Sequence, residues 1–400
     1  MSRKAKMFIF SIFILLVLSM IGIYVYWVYV LPKLGLFEDG RRTENFRSMQ
    51  KIFPAKVIYR SDNPYTLKEN LRNLDVSYEF TGKQHKMSDL LERSETTGLL
   101  VVKDDTIVYE KYFQGNTKLD KNTSWSVAKS FVSALVGIAI AEGHIANIND
   151  SITKYMPELE QSGYRNVPIK HILQMSSGVK FSEKYDDPES DIFQVVPNLF
   201  FYMRSMKDLA RSFPSEGASG QKFHYISLDT QILGMLIERV TGKSVSSYLQ
   251  QKLWNPMGAE SDAFWSTDNY HLELSFCCLN ATLRDYAKFG LLYLHDGYFN
   301  EKQIVPKSWV KESIAPDSPH LQVGSTDEKE YGKWGYQYQW WIPTGSHGDY
   351  SAVGILGQYI YIDPKHNVVI VKTSSGSLSS TAKDDDEAIA LFRAIIKELN

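Results

Sequence analysis

Ser126 and Lys129 stand three residues apart in Trp125-Ser126-Val127-Ala128-Lys129-Ser130-Phe131, ahead of the apolar run 132–141. On a helix, positions i and i+3 share a face, so the amine would lie beside the hydroxyl. A serine hydroxyl becomes a useful nucleophile once a nearby base takes its proton. A lysine drawn into apolar surroundings loses part of its preference for the charged form, and a neutral amine is such a base. The start of a helix also leaves backbone N–H groups free for a developing oxyanion. Spacing alone selects nothing, because Ser-x-x-Lys starts seven times, at Ser48, Ser126, Ser151, Ser177, Ser219, Ser308 and Ser380. Only the Ser126 copy opens a long apolar helix. Gly178 interrupts the Ser177 copy, and the Ser308 copy reads as the solvated side of a short helix.

Two further stretches line up behind it. Tyr225-Ile226-Ser227 follows a glycine-containing approach and precedes the apolar helix 228–240. A tyrosine near a cationic lysine is expected to ionise, or to relay a proton, more easily than a free phenol. Gly354-Ile355-Leu356-Gly357-Gln358 lies in a strand-like run, where glycines let a second backbone come close.

The elements that must position these residues follow from patterning. Residues 98–102 and 106–113 read as strands joined at Lys103-Asp104-Asp105. A helical middle follows: 126–141, 152–155, 167–175, 228–240, 244–253, 282–294 and 305–314. Residues 179–222, with Tyr185, Asp186, Asp187 and Asp191, form a long irregular excursion of the kind that makes binding loops. Runs 336–342, 352–362 and 368–373 are aromatic and β-branched, and 388–399 is a closing amphipathic helix. Strands at both chain ends around a helical insertion predict an α+β, two-lobed fold.

The chain has 400 residues and a net charge of -2, which argues against a nucleic-acid partner. Nine scattered histidines give no metal site, and no cofactor is expected. The two cysteines, Cys277 and Cys278, are adjacent and read as buried thiols, with a strained vicinal disulfide as the alternative. Residues 7–32 carry no charge, exceed the ~20 residues that cross a bilayer, and end in Tyr24, Tyr26, Trp27 and Tyr29. Arg3, Lys4 and Lys6 precede them. The expected layout is a cytoplasmic basic segment at 1–6, a single transmembrane anchor at 7–31, a connector at 32–84 and the main domain at 85–400 on the non-cytoplasmic side. A cleaved signal peptide is the rival, although its apolar core would run only ~7–15 residues.

The order Ser126/Lys129, then Tyr225-Ile226-Ser227, then the 354–358 strand resembles the serine β-lactamase and penicillin-binding-protein superfamily. The likeness is nearest to its 6-aminohexanoate-dimer hydrolase-like and class C-like esterase branch. Leu173 to Val179, Leu279 to Tyr286, and 336–341 carry it further. The resemblance implies a β-lactamase-like fold with Ser126 as nucleophile, Lys129 as base and Tyr225 as proton relay. It implies an oxyanion hole from the N–H of Ser126 and one near Gly357 and Gln358, with Ser227 where asparagine is usual. Tyr185 and Asp191 fall where that branch shapes its substrate pocket, or form a surface pair. Ile355 and Leu356 stand where a lysine or histidine usually grips a substrate carboxylate, which favours a less charged ester or amide over a β-lactam. Lys372-Thr373-Ser374 imitates that motif but lies on the return strand. The expected function is a serine hydrolase acting on a small ester or amide through an acyl-enzyme. The alternative is a catalytically silent penicillin-binding-like domain that binds cell-wall peptide or a protein.

Overall fold

The structure is a computed structural model that describes residues 2–377 and 382–400; Ser380 of the seventh Ser-x-x-Lys lies outside them. The main sheet has eight strands, in the spatial order Gly335–Gln337, Trp340–Ile342, Tyr350–Gly354, Gln358–Asp363, Val368–Ser374, Thr96–Lys103, Thr106–Tyr112 and Lys68–Glu69. All neighbours are antiparallel except the last pair. Early and late strands meet where Thr96–Lys103 pairs with Val368–Ser374. Asp104 and Asp105 both take positive φ, as a two-residue hairpin turn with the sheet's twist requires.

Period-2 alternation divides the central strand between two cores. Leu100 and Val102 face the main core with the helices Ala128–Ala141 and Leu283–Leu294. Leu99 and Val101 face Ile389, Phe392 and Ile395 of the closing helix Ala382–Leu399. The helix Ala128–Ala141 is buried without a break from Ala128 to Ala139, which fits a segment with no polar face. It packs on Ser227–Thr241, and these two helices centre the second lobe.

Residues 32–84 are woven into the body. Ala55–Ile58 heads a small sheet with Ala263–Ser266, Leu279–Ala281 and Asn122–Thr123, and Lys68–Glu69 edges the main one. The helix Arg3–Val25 is long and apolar enough to cross a membrane and buries no residue against the body. The reading of Cys277 and Cys278 as thiols is corrected: they form a vicinal disulfide. Their Cα atoms are 3.7 Å apart, and the chain turns through a left-handed Cys278, which leaves the two side chains within bonding reach.

Candidate active site

Ser126 sits one turn earlier than a simple helix start. It lies in the tight turn Trp125–Val127, and the α-helix begins at Ala128. Trp125 has φ +43°, a conformation that costs a bulky residue ~1–3 kcal/mol. Its ring is clamped by Phe37, stacked at 5.3 Å, and Phe46, edge-on at 5.1 Å. Ser124 fixes the other side, donating its N–H to the Leu279 carbonyl at 2.7 Å.

Lys129 is buried. Its Nζ lies 2.8 Å from Ser126 Oγ and 3.0 Å from both Ser227 Oγ and the Phe276 carbonyl oxygen. Burial lowers its pKa to about 8, and the Glu183 carboxylate opposes part of that fall. Glu183 is the residue that sequence reasoning missed. It accepts the Ser227 hydroxyl at 2.6 Å, the Ser227 N–H, and the Tyr185 hydroxyl at 2.7 Å. Ser227 is the first residue of a 15-residue helix, so a carboxylate there also meets the positive end of the helix dipole. The available signal was a carboxylate two residues before Tyr185, in a loop already marked as irregular.

Tyr225 packs against Trp341 (5.4 Å, stacked), and its ring centroid is 4.9 Å from Lys129 Nζ. Burial and Glu183 push its phenol well above the ordinary value, while a hydrogen bond with Ser126 acts the other way. The expectation of an easily ionised phenol is thereby reversed: desolvation outweighs the lysine charge. Tyr225 stays protonated near neutrality and is suited to give a proton.

The strand backbone that meets Ser126 is Gly354. A Cβ there would fall 2.6 Å from the Ser124 carbonyl oxygen and 3.1 Å from Ser126 N. Gly357 and Gln358, expected beside the oxyanion, lie on the far side of the turn. Gln358 pairs with Gly354 in the hairpin. Its amide donates to the carbonyls of Ile355, Leu356 and Ser374 and accepts the Ser374 N–H. Its side chain holds the turn, because its amide atoms are consumed by backbone. Asp191 accepts the Ser182 N–H at 2.8 Å and lines one of the cavities that Ser126 also lines. Tyr185 lines both cavities at Ser126.

Two cavities converge on Ser126. One, of about 860 Å³, is the more polar of the two and includes Glu183, Tyr185, Asp191, Tyr225 and Trp341 in its wall. The other, of about 240 Å³, is mostly apolar and runs toward Lys33, Leu36 and Phe37. Among the described residues no group of His, Cys, Asp or Glu has the arrangement of a metal site.

Residues 85–394 match the family described as Beta-lactamase. A 6-aminohexanoate-dimer hydrolase of Paenarthrobacter ureafaciens is 28% identical over 336 residues, covering 82% of this chain and 84% of that protein. A Bacillus anthracis structure carrying the 6-aminohexanoate-dimer hydrolase name superimposes with a TM-score of 0.83 at 25% identity, covering 91% of this chain and 96% of that one. A class C beta-lactamase shares the fold at 14% identity, with a TM-score of 0.56 over 78% of this chain and 94% of the other.

Proposed function

Because the chain belongs to the Beta-lactamase family of serine hydrolases, we propose that it cleaves an ester or amide through an acyl-enzyme on Ser126. The observation that carries this is the Lys129 amine, buried and 2.8 Å from Ser126 Oγ. A neutral amine has two hydrogens. The Ser227 hydroxyl and the Phe276 carbonyl can accept both, which leaves the lone pair directed at the serine proton. Ser126 Oγ attacks the carbonyl carbon as its proton passes to Lys129. The oxyanion is received by the Ser126 N–H and the backbone at Gly354–Ile355. Tyr225 protonates the departing oxygen or nitrogen and regains its proton from Lys129. Water then adds to the acyl-enzyme by the reverse relay, and the acid departs with Ser126 restored.

The test is labelling by a fluorophosphonate probe together with hydrolysis of a short-chain p-nitrophenyl ester. Both are expected in the native chain and lost in Ser126→Ala. A native chain that takes no label supports the silent-domain alternative.

The helix Arg3–Val25 is proposed as an uncleaved anchor with the hydrolase on the non-cytoplasmic side. Protease added outside intact membranes should degrade residues 33–400. A mature N-terminus near residue 30 would make the segment a signal peptide instead.

A further inference from the structure

The two cavities that meet at Ser126 differ in more than polarity. Tyr225, the proton donor, lines the wide polar cavity and not the narrow one. In acyl transfer the leaving oxygen or nitrogen must take up a proton as it departs. The leaving group therefore lies on the polar side, and the acyl group on the side of the narrow cavity.

That cavity is built for something without charge. Leu36, Phe53, Val196, Leu199 and Phe276 contribute to its wall, and the Cys277–Cys278 pair is present as a disulfide rather than as thiols. Lys33 borders it, but its ammonium is turned to the Tyr29 carbonyl at 2.9 Å and lies over the Tyr29 ring. Part of the wall, Lys33 to Phe37, follows directly on the apolar N-terminal segment. The exit of that segment is fastened to the body by the Tyr29 hydroxyl, which donates to Asn269 Oδ1 at 2.8 Å.

We propose that the narrow cavity holds a linear, uncharged acyl chain of medium to long length, and that the substrate is its ester or amide with a polar alcohol or amine. The assignment rests on the serine-hydrolase reading of Ser126. Attack forms the Ser126 Oγ–acyl bond, breaks the bond to the alcohol or amine, and sends the proton from Tyr225 to that leaving group. Water then releases the fatty acid.

The experiment uses the full chain in detergent micelles with p-nitrophenyl esters from acetate to decanoate. kcat/KM is expected to rise by about threefold to fourfold per added methylene until the cavity is filled. Octyl acetate, which carries the same chain on the alcohol side, should gain nothing over ethyl acetate. Val196→Trp and, on the same cavity wall, Ile192→Trp, tested separately, should each lower the octanoate-to-acetate ratio of kcat/KM at least tenfold. A flat or falling chain-length profile, with Ser126-dependent turnover intact, would overturn the acyl-chain assignment and leave the hydrolase reading standing. So would octyl acetate outpacing octanoate esters. Loss of all Ser126-dependent turnover and labelling would remove both. Fatty-acid release from phosphatidylglycerol vesicles would place the source in the bilayer, and turnover of soluble esters alone would place it in solution; the chain-length rise supports the cavity assignment in either case.

Discussion

Replacing Glu183 by glutamine isolates the electrostatics of the proposed base. Lys129 and Glu183 both bond to the Ser227 hydroxyl, at 3.0 and 2.6 Å, so their charged atoms are less than about 6 Å apart. Coulomb's relation at that distance gives ~3 kcal/mol, roughly two pKa units, for an effective dielectric constant of about 20, and about half that where water raises the constant to about 40. Burial nonetheless dominates and leaves the lysine at about 8, with Glu183 the opposing cause. The neutral amine is the base, so kcat/KM should rise with pH through a limb near 8. Removing the carboxylate removes what favours the ammonium, and the limb should move to lower pH by about one unit. The assay is the pH dependence of kcat/KM for a p-nitrophenyl ester from pH 5 to 10, with probe labelling to count active molecules. A limb that stays in place or moves upward would refute the coupling of Glu183 to Lys129. A lower plateau without a shift would mean that the carboxylate only orders Ser227.

Tyr225→Phe should cut amide hydrolysis by ~10²–10⁴-fold, the usual worth of a positioned acid, but cut a p-nitrophenyl ester far less, since nitrophenolate departs without a proton; steady-state rates on a matched amide and ester check this. Gly354→Val should abolish turnover and probe labelling, because its Cβ would meet the Ser124 carbonyl oxygen at 2.6 Å and backbone has little room to yield. Gly137→Ala, whose Cβ would fall 2.4 Å from Trp309 Cγ, should cost ~1–3 kcal/mol of overpacking. Thermal unfolding would show the loss, and Trp309→Ala in the same chain should recover part of it.

What the sequence disclosed about the site was what lies in local pattern. Ser126 and Lys129 share one helix start, and the apolar run behind them fixes which way that helix is buried. The join between early and late strands was legible because alternation and turn residues are local as well. The contributions that stayed hidden cross the chain. Glu183 reaches Ser227 over 44 residues, from a loop with no periodicity to mark it. Gly354 and Gln358 are four residues apart, and which of them faces Ser126 is decided by hairpin register, which glycine spacing does not specify. Arg284 pairs with Glu110 and Glu69, while Asp285 accepts the Glu260 and Ser261 N–H groups beside Thr282. The phenol of Tyr225 was misjudged because a charge beside it is visible in sequence and its desolvation is not.

Two of the buried lysines, Lys129 and Lys372, show why geometry must settle what a depressed pKa only suggests. Burial lowers Lys372 to about 7, further than Lys129. By pKa alone it would be the better base, and Lys372-Thr373-Ser374 has the look of a catalytic motif. Its amine, however, is directed at the Ser374 hydroxyl and the Gly357 carbonyl, with Asp385 opposing its loss of charge. Those partners lie behind the 354–358 turn, and Lys372 borders neither cavity at Ser126. Lys372 therefore braces the turn that carries Gly354. The strand residue that follows Gly354 is Ile355, an uncharged side chain that lines both cavities. An acyl group with a carboxylate near its carbonyl would lose its water there with nothing in return. An uncharged chain loses nothing by the same move and gains the burial.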